Sequence, residues 1–167
     1  MVDTALQKLE ASGKPVRVAM VGAGATGRAI ALQLIDAGQP IHCVWSGRRL
    51  DASCLDMDHC FPWAAWPCGD LWNLMPSHRS VNLRKRDRMP SEELLRHAGG
   101  VIVDWWNAGY LSKQNSGIPF LFGEEAKASL PALIGNPGLP ETDDVLFAMG
   151  LQRLRLLHDQ QVPDWAG

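Results

Sequence analysis

Residues 17–50 read RVAMVGAGATGRAIALQLIDAGQPIHCVWSGRRL, and the fold of the whole chain turns on how this stretch is read. Arg17 to Val21 is a short apolar run that breaks into glycines, as a buried parallel strand does. Thr26 to Ala37 then places Ile30, Leu34 and Ala37 on one helical face before Gly38 ends it. Pro40 leads into Ile41 to Ser46 (IHCVWS), a second apolar run with β-branched and aromatic residues. Together these predict a βαβ unit of about 30 residues with a right-handed connection. Between strand and helix stands Gly22-Ala23-Gly24-Ala25-Thr26-Gly27, a G-x-G-x-x-G pattern in the strand, turn and helix setting that gives it meaning. Gly22 would allow the tight turn, Gly24 the close approach of a pyrophosphate, and Gly27 the close packing of helix on strand. Backbone N–H groups around Ala25 and Thr26 would donate to phosphate oxygens at the positive end of the helix dipole. A glycine-rich structural turn is the plainer alternative.

At the end of the second predicted strand, a carboxylate would bind a ribose 2′-OH and select NAD. The chain has Ser46-Gly47-Arg48-Arg49 there. A hydroxyl and two guanidinium groups suit the 2′-phosphate of NADP, because arginine gives charge-assisted, often bidentate, hydrogen bonds to phosphate oxygens. NADP is therefore the expected cofactor, held by Gly22, Gly24, Ala25, Thr26, Gly27, Ser46, Arg48 and Arg49. Solvated loop arginines are the competing reading. Residues 16–50 resemble the dinucleotide-binding start of NADP-dependent dehydrogenases and reductases, in particular the hydroxyacid dehydrogenase, ketopantoate reductase and imine reductase group. Short-chain dehydrogenases are echoed by GRAIALQL, SGRRLDA and Asn107-Ala108-Gly109, although Tyr110 and Lys113 stand directly after that triplet instead of far downstream. Asp56-Met57-Asp58-His59 resembles the segment after the second strand in lactate and malate dehydrogenases, whose later catalytic motifs have no counterpart here. The resemblance implies a Rossmann-like fold and hydride transfer.

Working outward, residues 4 to 11 read as a leader helix that stops at Gly13-Lys14-Pro15, so residues 1–15 form a leader and linker and 16–167 one binding domain. Val81 to Arg84 is a weak strand candidate, Ser91 to His97 a helix behind Pro90, and Gly100 to Asp104 (GVIVD) a strongly apolar strand. Pro119 to Phe122, Ala132 to Ile134 and Val145 to Met149 are further short strands, with Glu124 to Leu130 helical between the first two. Leu151 to Gln160 closes the chain as a helix with Leu151, Leu154 and Leu157 in a stripe. The alternation predicts a single-domain α/β fold with a doubly wound, mainly parallel sheet.

The chain has 167 residues, 46% apolar and 20% charged, with a formal net charge of −2, which is the profile of an ordinary globular domain without a basic field for a polyanion. One short basic run, Arg84, Lys85, Arg86 and Arg88, has acidic neighbours, and nucleic acid is not an expected partner. No run of about 20 apolar residues spans a bilayer and no signal-like stretch opens the chain, so a cytoplasmic location is expected. The expected activity is NADP-dependent oxidoreduction of a small carbonyl, hydroxy or imine substrate. The alternative is a noncatalytic NADP sensor that docks on a partner. Hydride transfer needs a proton donor near the substrate, and the loop after GVIVD offers Tyr110 and Lys113, with Asp104 as a turn or cap residue. Cys43, Cys54, Cys60 and Cys68 lie beside His42 and His59, but no spacing is C-x-x-C, and buried thiols are expected in place of a metal. Residues 60–76, CFPWAAWPCGDLWNLMP, carry Trp63, Trp66 and Trp72, which read as a lid, a pocket wall, a partner-facing patch, or cover for the protein's own sheet. Trp105 and Trp106 are expected to turn one ring inward and one outward. The domain's size leaves little room for a separate substrate domain, and a homo-oligomer or a partner subunit is expected to complete the site.

Overall fold

The computed structural model describes residues 23–112, 116–135 and 137–167. The expected first strand, Arg17 to Val21, and the leader helix lie outside these residues. Helix α1 (Ala23–Asp36) starts three residues before the expected helix, and Gly38 closes it with a φ of 79°. Next come strands β1 (Ile41–His42) and β2 (Arg49–Leu50), which form an antiparallel hairpin pairing Ile41 with Leu50 and His42 with Arg49. Strand β3 (Leu55–His59) pairs antiparallel with β4 (Leu74–His78). Helix α2 (Arg79–Lys85) follows directly, then β5 (Met89–Pro90), α3 (Glu92–Trp105), α4 (Ile118–Ser129), α5 (Thr142–Gln160) and β6 (Asp164–Trp165). β6 pairs with β5 in parallel.

This corrects the predicted fold class and the Rossmann resemblance it rested on. Among the described residues there are five α-helices and three two-stranded sheets, two antiparallel and one parallel; there is no doubly wound parallel sheet. The apolar runs taken as strands are mostly helix. Gly100 to Asp104 lies inside α3, where buried Leu95, Ala98, Ile102 and Trp105 recur every three or four residues. Ser91 starts that helix by accepting the Leu94 N–H at 3.1 Å, with Glu92 and Glu93 in the first turn, where carboxylates favour the positive helix end. Val145 to Met149 belongs to α5, whose buried positions Val145, Ala148, Met149, Gln152 and Leu156 follow the same period. Pro119 to Phe122 opens α4, with its proline in the first turn, where no backbone donor is needed. Ala132 to Ile134 contributes to a short 3-10 turn at Pro131–Leu133, and Val81 to Arg84 lies within α2.

The second expected strand, Ile41 to Ser46, ends after His42. The Cys43 N–H bonds Arg48 O and the Gly47 N–H bonds Cys43 O, both at 2.8 Å, so Ser46-Gly47 forms the tip of a hairpin; Gly47 takes a φ of 68°, a region that favours glycine. The core gathers Ile30, Ala31 and Leu34 of α1, Leu55 of β3, Ile102 and Trp105 of α3, and Met149 of α5. Trp105 and Trp106 are both buried, because the chain there stays helical and widens into a π-helical turn at Trp106–Leu111, where neighbours no longer alternate between faces. No described helix is long and apolar enough to cross a membrane.

Candidate functional site

The β3–β4 hairpin runs straight into α2, and this ββα unit assembles more chemistry than any other part of the described chain. Pairing in β3–β4 sets Asp56 opposite Ser77 and Asp58 opposite Met75, so the two carboxylates share one face of the strand. Helix α2 covers that face. Its Asn82 Nδ2 donates to Asp56 Oδ2 at 2.7 Å, and its Lys85 Nζ donates to Asp58 Oδ1 at 3.0 Å and to the His59 carbonyl at 2.7 Å. From the β1–β2 hairpin, Trp45 Nε1 donates to Asp58 Oδ2 at 2.7 Å, and its ring lies 5.7 Å from the Lys85 ammonium, within cation–π range. His78 caps the helix by accepting the Ser80 N–H at its Nδ1, 3.2 Å away. His78, Asn82 and Lys85 thus follow i, i+4, i+7 along one stripe of α2.

Lys85 is wholly buried and Asp58 is 5% exposed. Burial pushes the Asp58 carboxyl up to about 6, against the lowering effect of the Lys85 charge and its hydrogen bond. The Lys85 ammonium and the Trp45 N–H are the two donors that hold this carboxylate. His59 ends the strand. Burial, then the Lys85 charge, holds its imidazole below the ordinary histidine range, which favours the neutral form that a proton acceptor needs. Its backbone is fixed by Lys85 and by the segment that follows. Asn73 is fully buried; its Oδ1 accepts the Phe61 N–H at 2.9 Å, its Nδ2 donates to Cys68 O at 2.8 Å, and its carbonyl accepts the Cys60 N–H at 2.8 Å. This closes residues 60–73 into a tied loop just past the histidine.

Asp56, Asp58 and the Asn82 amide oxygen are hard oxygen donors of the kind that bind Mg²⁺, which commonly takes one or two carboxylates and completes its shell with water and substrate phosphate. Among the described residues no group of three or more His, Cys, Asp or Glu is placed to hold a metal ion, so an all-protein cage of such ligands is not on offer. Asp56 Oδ1 accepts the Met57 N–H at 3.1 Å and Oδ2 the Asn82 amide, so a Mg²⁺ ion would take the half-exposed Asp56–Asn82 pair by displacing that amide, and Asp58 by exchanging the Lys85 ammonium for the ion. Around the unit, Arg79, Arg84 and Arg86 are exposed and Arg88 half-buried.

The residues expected to bind NADP are spread differently. Gly22 and Lys113 lie outside the described residues. Gly24, Ala25, Thr26 and Gly27 occupy the first turns of α1. Gly27 is buried, and a Cβ there would come within 2.8 Å of Tyr110 Oη and 3.1 Å of Met57 Cε, so its missing side chain seats α1 on the ββα unit and the π-helical turn. Tyr110 is fully buried and desolvation raises its hydroxyl well above the usual range. Ser46, Arg48 and Arg49 sit exposed on the β1–β2 hairpin, and Asp104 is exposed on α3. The four cysteines are free; burial pushes Cys60 and Cys68 up to about 12, as inert core thiols. Trp72 covers the protein's own core and Trp66 packs on it at 5.7 Å.

Asp58 and His59 were visible in the sequence only as an echo of another family and as members of a Cys/His cluster. Lys85 stands in the sequence only as part of a basic run and Asn73 only within the Trp-rich segment, while nothing there singles out Asn82. The signal that carries them is D-x-D-H at the end of an apolar strand followed, across a turn-rich segment, by H-x-x-x-N-x-x-K at helical spacing. No family model, curated protein or solved structure matches the chain.

Proposed function

We propose that the chain hydrolyses phosphodiester bonds of nucleic acid in a Mg²⁺-dependent reaction at the ββα unit. The observation that carries this reading is the placement of the strand-end His59 directly after Asp58, on a hairpin whose following helix brings Asn82 against Asp56. Asp56, Asp58 and Asn82 would hold the metal, which when bound polarises a phosphoryl oxygen and offsets the charge developing on phosphorus. His59 would accept a proton from the attacking water as its oxygen bonds phosphorus, while the P–O bond to the leaving sugar oxygen breaks and that oxygen takes a proton from solvent water. Lys85 holds the His59 carbonyl and Asn73 ties the Cys60–Phe61 segment that follows it, which keeps the histidine in place for that transfer. The net charge of −2 sums the whole chain, whereas α2 and the turn after it carry the exposed Arg79, Arg84 and Arg86, cations of the kind that phosphate contacts use.

Labelled duplex and single-stranded DNA and RNA, incubated with Mg²⁺ or Mn²⁺ and with EDTA as control, test this directly. Cleavage that EDTA abolishes is expected, with His59→Ala slower by about 10²–10⁴-fold, the usual worth of a positioned base. No cleavage of any of these substrates with either metal would overturn the reading.

A second reading keeps the NADP cofactor and hydride transfer. It is favoured by Gly24 lying in the first turn of α1 with open space at its Cβ position, where helix N–H groups can meet a phosphate. NADPH titration followed by nicotinamide fluorescence tests it: Arg48→Ala with Arg49→Ala should weaken NADP far more than NAD, and absence of binding would end it.

A further inference from the structure

The chain has seven tryptophans. Trp45, Trp72, Trp105, Trp106 and Trp165 are buried, Trp66 is half-buried, and Trp63 alone is largely in solvent, 54% exposed. Its position is not that of a loose surface ring. The Ala65 and Trp66 N–H groups both bond Pro62 O at 3.0 Å, which folds residues 62–66 into a tight turn with Trp63 in it. The same loop is anchored at its start by Asn73, through Cys60 and Phe61. The ring stands edge-on to His59, centroids 5.5 Å apart at 63°, and it lies over Gly69, where a Cβ would sit 3.7 Å from its Cζ3. A large apolar side chain is therefore held in water, on a pre-tied loop, against the proposed base.

We propose that Trp63 is a stacking platform for a nucleobase of the substrate, positioning the adjoining phosphodiester at His59. This rests on the phosphodiesterase reading and goes beyond it by naming the moiety recognised. A ligand that offers both a phosphodiester and a flat π-face a few ångströms away is a nucleotide, and base–aromatic stacking accepts any of the bases. Exposure of the ring then has a reason: its open area is filled when substrate binds. Because the loop is already ordered by Asn73 and the Pro62 turn, little conformational entropy is lost on binding.

The test uses the full chain and oligonucleotides of the type that the wild type cleaves. In EDTA, where no turnover occurs, Trp63→Ala should bind about 5- to 150-fold more weakly than wild type, the range expected for one stacked base, and Trp63→Phe should recover much of the loss. In Mg²⁺ the loss should fall on KM more than on kcat. An abasic site walked along the oligonucleotide should, at one position beside the cut, bring the wild type down to the level of Trp63→Ala and cost that variant nothing more. Normal binding and cleavage by Trp63→Ala would overturn the proposal, as would an equal loss at every abasic position or no rescue by phenylalanine. A wild type that cleaves nothing would instead overturn the phosphodiesterase reading.

Discussion

Lys85→Met is the most informative single change, because it separates the architecture of the ββα unit from its chemistry. The substitution keeps much of the side-chain volume and removes the ammonium, which is wholly buried, 3.0 Å from Asp58 Oδ1 and 2.7 Å from the His59 carbonyl. Asp58 would be left as a buried carboxylate with Trp45 Nε1 as its remaining donor. Removing one partner of a buried ion pair costs about 3–5 kcal/mol, a large part of a total stability of about 5–15 kcal/mol, and a chain of this size loses about 2–4 °C in Tm per kcal/mol. Urea unfolding in EDTA at pH 7.5 should therefore show a loss of about 3–5 kcal/mol, and a thermal scan a fall of about 6–20 °C. Asp58→Asn combined with Lys85→Met should recover most of it, since no charge is then buried alone. If Asp58 joins a Mg²⁺ site once the ammonium is gone, saturating Mg²⁺ should restore about 2.7 kcal/mol at a hundredfold excess over Kd, more than it adds to the wild type. A single-variant loss below about 1 kcal/mol would refute the energetic argument. Equal stabilisation of wild type and Lys85→Met by Mg²⁺ would refute the exchange of ammonium for metal.

Other outcomes follow from the packing and the electrostatics. Gly27→Ala gains helix propensity of about 1 kcal/mol but drives a methyl to within 2.8 Å of Tyr110 Oη, an overpacking that costs about 1–3 kcal/mol; urea unfolding should show a net loss, and a net gain would mean that α1 does not sit on Tyr110. Ser91→Ala removes the side-chain cap on the Leu94 N–H and should cost about 1 kcal/mol by the same measurement, with an unchanged midpoint contradicting the capped start of α3. Glu125 accepts the Leu71 N–H at 2.8 Å, and burial, with Asp70 adding a smaller push, raises its carboxyl above the usual range. A folded-state value above the unfolded one means stability is lost as pH rises through it, so Glu125→Gln should gain on the wild type as pH rises past the ordinary carboxylate range, and a difference independent of pH would refute the shift.

The helices were legible wherever a cap or a long amphipathic period accompanied them. Ser91 ahead of Glu92 and Glu93 announces α3, and the stripe from Leu151 announces the second half of α5. What misled was the length of the apolar runs. GVIVD and Val145 to Met149 each hold about five apolar or small residues, which a buried strand and a buried helix face fit equally well. Only the continuation of a three-to-four period across the preceding residues, from Leu95 through Ala98 to Ile102, settles such a case as helix. IHCVWS failed for another reason: Gly47 at positive φ turns the chain back on itself after His42, and the hairpin signal Ser-Gly was read as the end of a crossover strand.

By itself, the sequence determined the local elements that depend on near neighbours: the start of α3 at Ser91 and the end of α1 at Gly38. Spatial neighbours far apart along the chain were decided by tertiary structure alone. Trp45, Asp58 and Lys85 come from a hairpin tip, a strand end and a helix, and nothing in their separate surroundings requires them to meet. The buried ammonium can exist only because a carboxylate, a carbonyl and an indole ring surround it, and a charge is stable in the interior only when such partners are supplied together. The same holds for Gly27, whose glycine suggests a phosphate turn when read along the chain and a seat for Tyr110 when read in space.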